Sequence, residues 1–209
     1  MVNRNIIANY IGQFYSFFIG IVILPLYLEY LSPEGYGLVG FFTVFVSLMM
    51  LLDVGLTSTL SRESARLRDS VNNLIKLKEL TRSIEFVFIL ISIAMLTIVY
   101  ISSDLIVENW LIIETLSHDI VNYCIILMSI IMVIKWYVGI YQGIIVGLER
   151  QVWLNVFKIA INSLRFIGSF LLIKYISNSI LSFFIYQLFV IVIEYLIVRR
   201  KIYSLLPKT

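Results

Sequence analysis

The sequence predicts an all-α integral membrane protein whose six transmembrane helices form one bundle. Three observations lead to this prediction. Of the 209 residues, 60% are hydrophobic and 14% are charged, and the mean hydropathy is +0.97. The apolar residues fall into segments long enough to cross a bilayer, and the basic residues concentrate in alternate connections between them. A soluble domain of this size could not bury so much apolar surface, so lipid must be the solvent.

Each predicted span has the roughly 20 residues that a helix needs to cross a hydrocarbon core of about 30 Å. The first apolar stretch is too long for a secretory signal, and no small-residue cleavage site follows it, so we interpret it as a span. Together the spans form a single domain, residues 1–209. The six predicted spans are 6–31, 37–60, 84–103, 120–147, 153–174 and 178–198.

Two spans carry patterns that indicate how the helices pack. In the fourth span, Gly139, Gly143 and Gly147 recur at every fourth position. This small-residue ridge predicts that another backbone approaches the helix closely. In the first span, polar residues from Asn5 to Gly20 share one face and Pro25 follows them, a pattern typical both of a cavity-lining helix and of a buried packing face.

The connections between the predicted spans differ in their charge. The connection between spans two and three holds six basic residues, and more follow spans four and six. The connection between spans three and four instead holds four acidic residues and neither lysine nor arginine. Because basic connections remain in the cytoplasm, we predict that both termini are cytoplasmic.

The fifth span has a polar stripe within its apolar sequence. Steps of three and four residues place the members of the stripe on one face of a helix. An arginine near the middle of a span costs about 2.5–3.5 kcal/mol on insertion scales, so it faces protein or a watery cavity. The stripe consists of Asn155, Lys158, Asn162, Arg165 and Ser169.

Further ionisable residues lie within the spans. Lys135 is near the middle of span four, with Gln142 two turns away on its face. Asp53 lies in span two, and Glu194 lies close to the cytoplasmic end of span six, where it reaches water. A structural ion pair, for instance between Arg165 and Asp53, is one interpretation of these charges. The surplus of cations over anions favours another, in which an anionic substrate binds Arg165 and Lys135.

Enzymatic chemistry has little support in the sequence, and we expect neither a cofactor nor a metal site. The single histidine, His118, lies in the acidic connection, so no histidine-based triad or metal cluster forms within the membrane. The sequence contains no glycine-rich phosphate loop and no nucleophile-elbow serine. A nucleic-acid partner is not expected either.

Two stretches carry a family resemblance. Residues 25–66 contain Pro25 at the end of span one, a short turn ending in Tyr36-Gly37, and the run from Asp53 to Leu56. Residues 147–173 continue the similarity through the fifth span. The sequence resembles the N-terminal half of polysaccharide flippases of the O-antigen type, within the superfamily of multidrug, oligosaccharidyl-lipid and polysaccharide exporters.

The resemblance implies a transporter of the bacterial inner membrane that works by alternating access between two six-helix bundles. Its implied substrate is an undecaprenyl-pyrophosphate-linked oligosaccharide, flipped outward for O-antigen, lipopolysaccharide or capsule synthesis. Arg165 and Lys135 would then hold the pyrophosphate, and Lys158 is a further expected substrate-binding residue. Asn155, Asn162 and Gln142 would face sugar hydroxyls, and Asp53 and Glu194 are the expected sites for a coupling cation.

The chain has half the spans that this family has. We therefore expect either a truncated product or a half-transporter that pairs with a second six-helix bundle, which is a missing C-terminal half or a second copy. Two alternatives remain open. One is an exporter of small molecules from the same superfamily, although the basic stripe disfavours cationic drugs. The other is a membrane scaffold subunit whose polar faces contact partner helices.

Overall fold

The computed structural model is all-helical over the residues that it describes, which are 2–52, 55–111 and 113–207, with side chains described from 9 to 47 and beyond 54. Seven helices occur in these ranges. Five are long, and two shorter ones occupy the predicted second span and its exit. The helices are α1 (Val2–Tyr30), α2 (Pro33–Leu52), α3 (Leu56–Arg66), α4 (Val71–Trp110), α5 (His118–Gly147), α6 (Gln151–Tyr175) and α7 (Ile180–Leu205).

Helix α5 is the centre of the bundle. It contacts α2, α3, α4, α6 and α7, while α1 packs mainly against α6. Met128, Tyr141 and Ile144 of α5 are fully buried. The buried residues form two clusters, one around Tyr27 and Phe184 and the other around the C-terminal half of α5. A helix that is apolar on all sides is expected at such a central position.

The chain crosses a membrane several times. Five helices of the described residues are long and apolar enough to span a bilayer: Asn9–Tyr30, Val71–Trp110, His118–Gly147, Gln151–Tyr175 and Ile180–Leu205. Many large apolar side chains on α1 and α4 are exposed, which suits contact with lipid. Helix α2 has 20 residues, and its side chains from position 48 onward lie outside the described residues. The sixth span therefore stays a prediction.

The structure differs from the sequence prediction in the second span and extends the helix of the third. The predicted span 37–60 is divided at Gly55, which lies between α2 (Pro33–Leu52) and α3 (Leu56–Arg66). Gly55, the N-cap of α3, has φ 78°, a left-handed conformation that glycine adopts without steric cost. Helix α4 begins at Val71 and contains the whole predicted span 84–103, and Ser70 caps it by accepting a hydrogen bond from the N–H of Asn73.

The glycine ridge of α5 is occupied by α3, which confirms the predicted close approach of another backbone. A Cβ atom on Gly143 would lie 2.7 Å from the carbonyl oxygen of Thr57, and one on Gly147 would clash with the carbonyl oxygen of Ser61. Glycine at these positions therefore lets α3 lie directly against α5.

The connections gather at two ends of the bundle. At one end, the Glu34 carboxylate accepts hydrogen bonds from the N–H groups of Glu114, Thr115 and Leu116. This joins the first and third predicted connections at what we call the acidic end.

The opposite, basic end comprises the 66–71 turn, the 148–150 turn and the C-terminus of α7. Arg68 pairs with Glu149 there, and Lys78 Nζ donates to the carbonyl oxygen of Pro207 at 2.9 Å. The acidic and basic connections therefore lie at opposite ends of the bundle, as the sequence predicts. The cytoplasmic location of the basic end remains a prediction.

Candidate functional site

A cavity of about 210 Å³ lies between α1, α2, α5, α6 and α7. Two of its lining residues are the cations predicted to bind an anion, Lys135 of α5 and Arg165 of α6. Its other polar lining residues come from three further helices and are Tyr27, Thr43, Ser47 and Gln187. At about 30 Å³ for each water, the cavity has room for a small polar group such as a phosphate, but not for an oligosaccharide.

Arg165 is held by an ion pair with Glu194 of α7. The distance from Arg165 Nη2 to Glu194 Oε2 is 2.5 Å, and the two side chains are 16% and 7% exposed. Gln142 Nε2 donates a second hydrogen bond to Glu194 Oε1 at 3.3 Å. A buried pair depends on such additional bonds, because the attraction alone hardly offsets the loss of hydration.

This contact corrects one expectation from the sequence. Glu194 was expected to reach water near the end of its span, but it is buried and paired. Because Arg165 on α6 and Glu194 on α7 come from different helices, sequence periodicity could not reveal the pair. Gln187 was also missed, although its spacing of seven residues from Glu194 places both on one face of α7.

Lys135 makes neither a hydrogen bond nor a salt bridge with the residues that the structure describes. Its ammonium lies within electrostatic range of both Arg165 and Glu194. The two cations and one carboxylate leave a net charge of +1 among the described groups around the cavity. Such a surplus is unfavourable in a low-dielectric site and favours the entry of an anion.

The remaining members of the polar stripe divide between two neighbouring helices. Asn155 donates to the side-chain oxygen of Asn9, and Asn162 Nδ2 donates to Ser16 Oγ of α1 at 2.7 Å. Ser169 Oγ accepts a hydrogen bond of 3.0 Å from Gln187 Nε2 of α7. The stripe is therefore one face of α6 that joins it to both α1 and α7.

A second cavity, of about 340 Å³, lies between α3, α5 and α6. Lys158 and Gln142 line it together with Thr57, Ser58 and Ser61 of α3. Because Gln142 also bonds to Glu194, this cavity borders on the same polar network as Arg165. Of the eight residues named from the sequence, five belong to or border on this network: Arg165, Lys135, Lys158, Gln142 and Glu194. Asn155 and Asn162 bond to α1 instead, and Asp53 lies outside the described residues.

Metal-ligand chemistry was not expected from the sequence. Among the described residues, no three of the His, Cys, Asp and Glu side chains group closely enough to hold a metal ion. The charged groups that do come together are a guanidinium, an ammonium and a carboxylate, which suit electrostatic recognition of an anion.

Comparison with known proteins identifies the family of the chain. The family described as polysaccharide biosynthesis protein matches residues 2–208, nearly the whole chain. No curated protein and no solved structure matches the chain significantly.

Proposed function

Because the chain belongs to the polysaccharide biosynthesis protein family, we propose that it carries a lipid-linked oligosaccharide from the inner to the outer leaflet. The observation that carries the proposal is the membrane-buried cavity lined by both Arg165 and Lys135. The proposed substrate is an undecaprenyl-pyrophosphate oligosaccharide, and the proposed location is a bacterial inner membrane.

In this mechanism the pyrophosphate competes with Glu194 for Arg165. Arginine presents a planar pair of donors that suits phosphate oxygens, and Lys135 adds a mobile point charge. Once phosphate occupies Arg165, the Glu194 carboxylate loses its cation and becomes the site that takes up a coupling cation. The interior-negative potential also favours outward movement of an anion, by about 2.3 kcal/mol per charge per 100 mV.

The sugar portion must lie outside the small cavity. Asn155 and Asn162 are engaged with α1, so their proposed contacts with sugar hydroxyls require α1 and α6 to separate. Gln142 would be released together with Glu194. A second six-helix bundle, either as another chain segment or as another copy, would complete the cavity that alternates between the two sides.

The proposal is tested with Arg165→Ala in membrane vesicles from cells that express the chain in its natural setting. We expect outward flipping of a fluorescent pyrophosphate-linked oligosaccharide to fall about ten- to hundredfold, because the substrate loses one charged hydrogen-bonding partner. The readout is quenching of the label by a reagent added on the outer-leaflet side.

Two variants control this experiment. Arg150→Ala removes an exposed arginine outside the cavity and should leave flipping unchanged. Arg165→Ala combined with Glu194→Gln also removes the carboxylate that Arg165→Ala leaves without its cation, so it should insert in the same amount as the wild type and still fail to flip substrate. If the double variant flips substrate at the normal rate, Arg165 serves the fold and not the substrate.

A scaffold subunit is the second candidate, because Asn155, Asn162 and Ser169 all bond to side chains of neighbouring helices. Helix faces whose polar side chains are hydrogen-bonded to neighbouring helices also occur in bundles that transport nothing. The two candidates differ in whether water reaches the stripe.

A further inference from the structure

A second basic site lies on the outside of the bundle, away from the central cavity. A groove between α4 and α7 encloses about 580 Å³ and shares no lining residue with the cavity around Arg165. We call it the α4–α7 groove. Its lining residues are Arg82, Glu85, Leu196, Arg199, Arg200 and Tyr203.

The groove is organised around Glu85. Both carboxylate oxygens of Glu85 accept from the Tyr203 hydroxyl at 3.1 Å, and the Tyr141 hydroxyl donates to Oε1. Arg199 Nε lies 3.9 Å from Glu85 Oε1, and its guanidinium carbon lies 5.6 Å from the centre of the Tyr203 ring. Glu85 thus orients Tyr203, and the ring and carboxylate together orient Arg199.

The groove holds more positive charge than its own carboxylate neutralises. Three guanidinium groups and one carboxylate give a net charge of +2. Arg82 and Arg200 form no hydrogen bond or salt bridge with the described residues, and both are exposed. Their donors are therefore available to an external anion.

The predicted span boundaries place the groove at the membrane interface. Arg82 and Arg199 adjoin the predicted starts and ends of the third and sixth spans, 84–103 and 178–198. Beside them, Phe86 is 63% exposed and Leu196 is 55% exposed. Arginines at a span boundary can bind the charged headgroup of a lipid, and neighbouring apolar side chains can contact its acyl chains.

We propose that the α4–α7 groove binds the phosphate headgroup of an anionic phospholipid. The guanidinium groups of Arg82, Arg199 and Arg200 donate to the phosphate oxygens, and the acyl chains lie along Phe86 and Leu196. Basic pockets between transmembrane helices at the cytoplasmic side are known to suit such headgroups. The inference does not depend on the proposed flippase activity.

The test uses the purified full chain in phosphatidylcholine vesicles that contain spin-labelled phosphatidylglycerol as the probe. The immobilised fraction of the probe gives its relative affinity for the protein. We expect the triple variant Arg82→Gln, Arg199→Gln, Arg200→Gln to lower this affinity at least about tenfold. Spin-labelled phosphatidylcholine should show no such difference.

A matched triple variant separates a defined site from diffuse attraction. Arg62→Gln, Arg66→Gln and Arg150→Gln remove the same charge from exposed positions of α3 and of the 148–150 turn, and should leave most of the binding intact. An equal loss of affinity for spin-labelled phosphatidylglycerol in both triple variants would overturn the proposal. If the groove variant folds poorly, Arg200→Gln alone gives the same comparison against Arg62→Gln.

Inorganic phosphate distinguishes a lipid site from a site for a soluble anion. Millimolar phosphate at constant ionic strength should leave the immobilised fraction unchanged, because the acyl chains contribute to lipid binding. Displacement of the probe by phosphate would assign the groove to a soluble anion and contradict the lipid proposal.

Discussion

Three buried or half-buried carboxylates among the described residues each have a defined set of donors. Glu194 is bound by Arg165 and Gln142, and Glu85 is bound by the hydroxyls of Tyr141 and Tyr203. Glu34 is bound by three consecutive backbone N–H groups. Ionised groups in a membrane protein persist where hydrogen bonds replace the lost water, and these three contacts each tie together elements that are distant in sequence.

Glu34 leads to a prediction about pH. The N–H of Leu116, followed by those of Glu114 and Thr115, stabilises the carboxylate and lowers the pKa of Glu34 below its ordinary value. A lowered folded-state pKa means that the contact stabilises the fold above the unfolded pKa of about 4.3, and that this stabilisation is lost as the pH falls through the folded-state pKa. Glu34→Gln should therefore lower the thermal unfolding midpoint at pH 7 and should flatten its decline below about pH 4.3.

The measurement is the unfolding midpoint in detergent between pH 7 and pH 3. Glu114→Gln is the control, because its exposed side chain lies in the same loop but only its backbone contacts Glu34. An equal effect of both substitutions would contradict the assigned role of the Glu34 carboxylate.

At the scale of elements, the short helix α3 depends on two groups of glycines. Gly55 permits the left-handed backbone that separates α3 from α2, and Gly143 and Gly147 permit α3 to lie against α5. Helix α3 also leads into the turn that Arg68 fixes to Glu149, where the carboxylate raises the pKa of the Arg68 guanidinium. The position of the second cavity, which α3 lines, follows from these contacts.

Substitution in the ridge should displace α3. Gly143→Ala with Gly147→Ala places methyl groups against backbone atoms of α3, and overpacking of this kind costs about 1–3 kcal/mol. We expect faster tryptic cleavage after Arg66 and Arg68, together with a lower thermal midpoint.

Gly139→Ala is the matched control on the same ridge. Its added Cβ would meet Thr57 Oγ1 at 3.9 Å, an ordinary van der Waals distance. The Gly139→Ala protein should therefore behave like the wild type. Unchanged cleavage in the double variant would show that α3 does not depend on close contact with α5.

At the scale of the whole molecule, the bundle has an apolar exterior, two ends of opposite charge and a polar interior network. Helix α4 has 40 residues, about 60 Å at 1.5 Å per residue, so it extends well beyond a hydrocarbon core of about 30 Å. The interior network joins the cavity at Arg165 to the cavity at Lys158 through Glu194 and Gln142. The two cavities are therefore linked by hydrogen-bonded side chains.

Access of water to this network is measurable with single cysteines. Cysteine at 158 or 165 should react with a water-soluble thiol reagent in native membranes, since both positions line cavities. Cysteine at 162 should react only when α1 and α6 separate, because Asn162 is bonded to Ser16. If cysteines at 158 and 165 both fail to react, the result would contradict the proposed transport and favour a role as a scaffold subunit.

Leu164→Cys is the control for lipid-facing positions. Leu164 is 41% exposed on the apolar side of α6 and should not react with a charged reagent in the membrane. The native Cys124 is buried in α5 and provides an internal unreactive reference.

The amino-acid sequence alone determined that the chain crosses a membrane several times, that its basic and acidic connections lie at opposite ends, and which residues of α6 share a polar face. These properties follow from hydropathy, charge and helical periodicity, which act along the chain and need no knowledge of partners. The prediction that Lys135 and Arg165 occur together rested on charge arithmetic, and the structure places both at one cavity.

Only the tertiary structure decided which groups meet across helices. The pairing of Arg165 with Glu194, the contact of Asn162 with Ser16, and the position of α3 on the glycine ridge all join residues from different helices. Their partners depend on the rotation and depth of each helix in the bundle, which are set by side-chain packing and not by periodicity within any one segment.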